Sequence, residues 1–310
     1  MRLVSGWVGR LAAMAEPDRD LPSCPSQGSL ESNLARKGLF AVRAERSGVP
    51  VESQDLLGLI RSSGLLKVDP DLDVLIWLTE AFRTRGDDEG VVSFTLYELS
   101  RALSGRKPTG NDTRRLKASL RRLRTTAVDL VGYDAIGKKA DARVASVETL
   151  LEKLTSRLDD LDVASGGEAG ALRGNTFSIQ FPAWIVVSLK AGHVTYYRFE
   201  ILRKLSGLAK RLWVYLEAER YKKIGQGQEA TWIKLGDRAY ASLGMHYRQE
   251  RQARAALKRA GVSICAADPR YEAVSVERRP GGWAVIAERS GRDMQRGEIR
   301  ALIRSSLPAT

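Results

Sequence analysis

Two cation-rich stretches carry the spacing with the most chemistry in it. At about 100° per residue on a helix, Leu116, Leu120 and Leu123 share one stripe, and Arg114, Ala118, Arg121 and Arg122 stand opposite. An offset of 137 positions (251 − 114) carries the inner stripe onto Ala253, Leu257 and Ala260. It carries the outer face onto Arg251, Ala255, Lys258 and Arg259. Arg115 and Lys117 add charge to the first stretch, Arg248 and Arg254 to the second, and Lys138 and Lys139 follow the first. A small residue ringed by cations lets a helix backbone approach a groove while long side chains reach phosphates and base edges. One charged face is ordinarily just solvated, but the same face twice at equivalent places points to double-stranded DNA.

Other chemistries fit less well. Gly132-Tyr-Asp-Ala-Ile-Gly137-Lys138-Lys139 has the glycine and lysine spacing of a phosphate-binding loop. Lys139, however, occupies the place of the hydroxyl that should hold magnesium, and no strand ending in a metal-binding Asp accompanies it. A basic loop beside a DNA backbone is the expected reading, with no ATP turnover. DNA-nicking initiators hold a metal with two histidines one residue apart, and here His193 and His246 lie far from each other. His246, Tyr247 and Arg248 supply the residue types of a tyrosine recombinase, but at a helix start where a backbone contact or plain surface is expected. Cys24 and Cys265 suit a reducing compartment and cannot build a four-ligand zinc site with these histidines. The expectation is a protein without catalytic residues, metal or cofactor.

A formal charge of +13 and a pI near 9.9 call for a polyanionic partner, because cations that neutralise phosphates release condensed counterions. No apolar run approaches the roughly 20 residues a membrane helix needs. Arg10 interrupts the short apolar stretch Leu3–Ala15, so a cytoplasmic protein is expected.

Positioning two such helices takes two domains, and 310 residues suffice. Residues 1–64 read as a mobile arm, with a short amphipathic helix over Ser53–Ser63. Residues 65–195 read as helix from Asp69, strand Val91–Thr95, helix Leu96–Leu103, helix to Arg124 and strand Val128–Tyr133. An Asn111-Asp-Thr run supplies cap candidates for the third helix. The order recurs in 196–310: helix Leu205–Tyr221, strand Thr231–Leu235, helix Asp237–Leu243, helix Arg248–Ala260 and strand Val262–Ala266. Strands Tyr271–Arg278 and Trp283–Glu288 then close a sheet around Pro280-Gly281-Gly282. The fold class expected is α+β, mainly helical, with tandem winged-helix domains. An inserted helix near 140–162 in the first wing rests on the three-four spacing of Val144, Val147, Leu151, Leu154, Leu158 and Leu161. It lies on its own domain or, less simply, supports self-association. Trp77, Phe82, Trp184, Trp213, Tyr215, Trp232 and Trp283 fall at core-like positions.

Three runs carry a likeness: Phe177-Ser-Ile-Gln-Phe-Pro-Ala-Trp-Ile185, Val194-Thr-Tyr-Tyr-Arg-Phe-Glu-Ile-Leu202 and Leu205-Ser-Gly-Leu-Ala-Lys-Arg-Leu-Trp-Val-Tyr-Leu216. They resemble bacterial plasmid replication initiators of the two-winged-helix type, over roughly residues 70 to 290. That resemblance implies a non-enzymatic protein that binds its plasmid origin, helps open duplex and brings in host replication proteins such as the replicative helicase. The alternative is a DNA-binding transcriptional regulator acting on its own promoter, since a fold does not decide a function.

Overall fold

The computed structural model describes residues 26–36, 39–40, 42, 51–55, 58–62, 66–131, 145–156, 176–224, 230–245 and 249–289. Within them helices and strands are mixed, as the α+β class expects.

A tight turn, Val68–Leu72, leads into α2 (Asp73–Arg85), which buries Val74 through Leu78, Ala81 and Phe82. β4 (Val91–Thr95) follows, and Thr95 caps α3 (Leu96–Ser104) by accepting from the Glu98 N–H at 3.1 Å. Gly105, at φ +69°, ends α3 in a left-handed conformation that glycine adopts without steric cost. Thr109, rather than the Asn-Asp-Thr run after Gly110, caps α4 (Gly110–Thr125), in a reciprocal box with Asp112. β7 (Lys153–Ser156) and β8 (Thr176–Gln180) complete a sheet of order β4-β8-β7. Trp77 meets Phe94 edge-on at 5.3 Å, and Phe94 stacks on Phe177 at 6.0 Å, so this sheet and α2 share a core.

The second unit repeats the plan. α7 (Gly207–Ile224) precedes β10 (Ala230–Lys234), α8 (Asp237–Ser242) and α9 (Glu250–Ala267). β11 (Tyr271–Arg279) and β12 (Gly282–Arg289) then form a sheet of order β10-β12-β11. In both units the strand before the helix pair lies at one edge and the last strand lies in the middle. α5 (Ala183–Lys190), β9 (Val194–Arg198) and α6 (Phe199–Lys204) join the units.

Four expectations are corrected. Residues 27–36, 39 and 40 are not a free arm: β1 (Gln27–Glu31) pairs antiparallel with β9, α1 (Ser32–Arg36) follows, and Leu30, Leu34, Leu39 and Phe40 are buried. These apolar residues are widely set among polar ones, so no period shows, and the strand's partner is distant in sequence. A Cβ at Gly28 would come within 2.5 Å of Ile76, which is how closely β1 lies on α2. Where a helix over 53–63 is expected, residues 53–55 and 58–62 lie in the antiparallel pair β2 (Val51–Asp55) and β3 (Gly58–Ser62). In the described part of the expected insertion in the first unit, residues 145–149 and 153–156 are likewise strand and not helix. β5 (Ala127–Val131) and β6 (Ala145–Thr149) extend that pair into a sheet of order β2-β3-β5-β6. Leu150 and Leu151 are buried in the bend before β7, so the three-four spacing marks a bend between strands. Val144, Leu158 and Leu161 lie outside the described residues. Pairing with β5 and the β-branched content of 145–149 override the helical period there.

The fourth correction is Val262–Ala266, which continues α9 to Ala267. Leu257, Ala260, Gly261, Ile264 and Ala267 prolong one buried helical stripe, and this packing outweighs the β propensity of Val262 and Ile264. Gly261 lets α9 rest directly on β11, since a Cβ there would sit 2.3 Å from the Val274 carbonyl oxygen. Gly261→Ala should accordingly destabilise the fold by about 1–3 kcal/mol through overpacking, read as a lower urea midpoint at unchanged slope.

Candidate nucleic-acid interface

The inner stripes of both basic helices are buried as expected: Leu116, Leu120 and Leu123 on α4, Ala253, Leu257 and Ala260 on α9. The outward residues follow the helical period. Arg114, Arg115 and Arg121 are exposed on α4 with Lys117 and Ala118 half-buried beside them, and Arg251, Ala255, Lys258 and Arg259 are exposed on α9. Among the described residues, Arg114, Arg115, Lys117, Arg121, Arg251, Lys258 and Arg259 have no carboxylate at ion-pair distance. Each helix thus presents cations that no described acid neutralises.

Two expected contacts are instead built into the protein. Arg122 turns back and donates from Nε and Nη2 to the Asp71 carboxylate at 2.9 and 2.6 Å. Asp71 is fully buried, and a bidentate pair in that setting holds α4 to the Val68–Leu72 turn. Arg254 lies half-buried, 4.6 Å over the Trp283 ring and 2.7 Å from Glu250. Both sit at the margins of their basic faces, where a neighbouring element reaches the guanidinium. Lys138, Lys139 and Arg248 lie outside the described residues, as do the phosphate-loop motif and Tyr247.

Further exposed cations lie at the β11–β12 turn, where Arg279 pairs with Glu277 at 2.9 Å. Arg278 and Arg279 stand where β11 turns into β12, and the turn needs glycine because φ is +90° at Gly281 and +125° at Gly282. Lys234 Nζ lies beside Gly281. The run Arg278-Arg279-Pro-Gly-Gly marks this loop in the sequence, and reading it only as sheet closure passes over its charge. Trp232 departs from its core assignment: β10 alternates, so Ile233 is buried while Trp232 is 53% exposed on the face shared with Lys234. Trp77 and Trp213 are buried, whereas Trp184, Tyr215 and Trp283 are partly covered.

The run Leu205–Leu216 holds the two basic helices in place. Lys210 is 4% exposed, with its Nζ 2.5 Å from Asp69 Oδ1 and 2.6 Å from Asp73 Oδ2. Arg211 is fully buried and donates to the carbonyls of Ala35 and Ser242 at 2.6 and 2.7 Å. Further along α7, Trp213 Nε1 donates to Asp268 Oδ2 at 2.9 Å, at the C-cap of α9. Glu217 accepts from Tyr271 Oη at 2.8 Å and from Arg289, with Arg270 3.6 Å away. Burial works against the Asp268 carboxylate, but hydrogen bonds and charge from Arg270, with Trp213, outweigh it and hold the carboxyl below the usual range.

Asp73 goes the other way. Burial pushes its carboxyl up to about 6 against the pull of Lys210, with repulsion from Asp69 and Asp71 adding to the rise. A carboxyl raised in the folded state contributes stability below its ordinary value and loses it as the pH rises through about 6. Between pH 5 and 7 that loss amounts to about 1 kcal/mol. Asp73→Asn should abolish it, which urea unfolding of both proteins at the two pH values measures.

Among the described residues no helix is long and apolar enough to cross a membrane. No protein-family model matches this sequence, and no curated protein matches it. Solved structures that share its fold include two of domains 2 and 3 of RctB, a Vibrio replication initiator. The crystal structure of the selenomethionine derivative superposes with a TM-score of 0.52 at 12% identity, covering 86% of this chain and 99% of that one. The second superposes with a TM-score of 0.50 at 12% identity, covering 88% and 99%.

Proposed function

We propose that this chain is a plasmid replication initiator in which two winged-helix units read origin DNA, with α4 and α9 entering successive major grooves. One observation carries the reading: an edge-last-middle sheet preceded by a helix with a buried apolar stripe and a cationic face that no described carboxylate neutralises occurs twice. A winged helix places its recognition helix just before such a sheet and its wing in the hairpin that follows. In the second unit that hairpin is the β11–β12 turn with Arg278 and Arg279. The shared fold with RctB domains supports initiation over other uses of winged helices. The action is non-enzymatic: binding positions the protein, adjacent duplex opens, and the host helicase is brought in.

Two measurements test this. Several phosphate contacts from two helices and a wing should make the logarithm of the binding constant fall with log salt at a slope magnitude of roughly 5–10. An affinity nearly independent of salt would remove the DNA reading. Initiation itself is tested by whether this gene and its flanking DNA maintain an otherwise non-replicating circle. Maintenance lost on disrupting the gene is the expected result, and a circle that persists would leave only a regulator.

A further inference from the structure

Between α4 and α9 runs a series of short polar contacts joined by short stretches of backbone, and it passes through three acidic residues, two in the Val68–Leu72 turn and one at the start of α2. Arg122, near the end of α4, grips Asp71 with both nitrogens. Asp71 also accepts from the Lys67 N–H at 2.9 Å, which fixes the turn itself. On either side of Asp71, Asp69 and Asp73 hold Lys210, and Asp69 also accepts from the Gly207 N–H at 2.7 Å, at the first turn of α7. The next residue, Arg211, bonds the Ser242 carbonyl at the end of α8, and Trp213 bonds Asp268 at the end of α9. α7 therefore grips the second helix pair at two points while its start is pinned to the turn that holds α4. Most of these groups are buried, where water does not compete for the bonds.

We propose that the Asp69–Asp71–Asp73 turn, with Arg122 and Lys210, is a phasing element that fixes the rotation and separation of the two basic helices and so sets the spacing between half-sites. The inference rests on the reading of α4 and α9 as DNA readers. These residues are positioning residues and touch no DNA. One base pair added between half-sites turns the second groove by about a tenth of the roughly 10.5-bp helical repeat. A rigid pair of readers cannot follow that turn, whereas a hinged pair can.

The variants are Asp71→Asn/Arg122→Gln, which removes both charges together and leaves no buried ion unpaired, and Asp69→Asn, which keeps an acceptor for Gly207. Binding is measured on duplexes whose half-sites are separated by the natural spacer or by two base pairs more or fewer, and on each half-site alone. The parent should lose at least tenfold on the altered spacers. The variants should bind single half-sites within threefold of the parent and discriminate between spacers by less than threefold. A second arm uses no DNA: spin labels at Asn111→Cys and Gln252→Cys, with Cys24 and Cys265 replaced by alanine, report the distance between the helix starts. The parent should give one narrow distribution and the variants a broad one. Equal width, or folded variants that keep the parent's spacer discrimination, would overturn the phasing role. A parent that binds no DNA yet narrows to one distance would sink the DNA reading alone, with the phasing role reduced to holding two helices.

Discussion

Replacing Arg121 and Arg251 together with alanine should bring binding of the specific site close to the level on scrambled DNA. Each side chain is exposed on the outward face of its helix and has no described carboxylate to neutralise it. Each single substitution should cost roughly 1–3 kcal/mol and relax preference in its own half of the site. The two residues lie on different units, so their costs should add to about 2–6 kcal/mol. Mobility shifts and footprints on both DNAs at one salt concentration measure this. A specific-to-scrambled ratio that survives either substitution would make that helix a phosphate clamp, and a ratio that survives both would move the reading surface elsewhere.

Glu217→Ala should be the most damaging single change to stability. The carboxylate is 2% exposed, accepts from Tyr271 and Arg289, and has Arg270 close by. Its removal leaves buried hydrogen-bond donors and cationic charge uncompensated, at about 3–5 kcal/mol. Glu217→Gln keeps an acceptor for Tyr271 and should cost less. Urea unfolding followed by tryptophan fluorescence reads the effect, because Trp213 lies in the same buried network. A loss below about 1 kcal/mol, the median worth of a surface pair, would mean that solvent reaches the site.

What the sequence could reveal follows from how local each signal is. The helix period of residues 110–125 and 250–260, the strand Val91–Thr95 and the glycine-rich turn at Pro280 depend on neighbours in the chain, and all lie where periodicity puts them. Strand β1 pairs with β9, and β3 and β6 pair with β5, partners that no local window contains, so an arm and two helices are the natural misreadings. At the basic faces, alternation of buried and exposed residues was legible for Arg114, Arg121, Arg251 and Lys258. The capture of Arg122 by Asp71, 51 positions away, was not. Lys210 and Arg211 show the same limit from the other side. A Lys-Arg pair in a helix reads as surface, yet carbonyls and carboxylates from three separate segments enclose both.

The pairing of β1 with β9 bears on how the protein is made. Ser32 and Thr195, bonded at 3.0 Å beside the last rungs of that ladder, are 163 positions apart. A ribosome adding about 5–20 residues per second leaves the first strand without its partner for roughly 10–30 s. During that interval Leu30, Leu34, Leu39 and Phe40 lack the side of their core that β9 and α7 supply, and the nascent chain carries an apolar segment that is a natural client for a chaperone. Translation rate, and not only equilibrium stability, then governs how much of this protein reaches its native state.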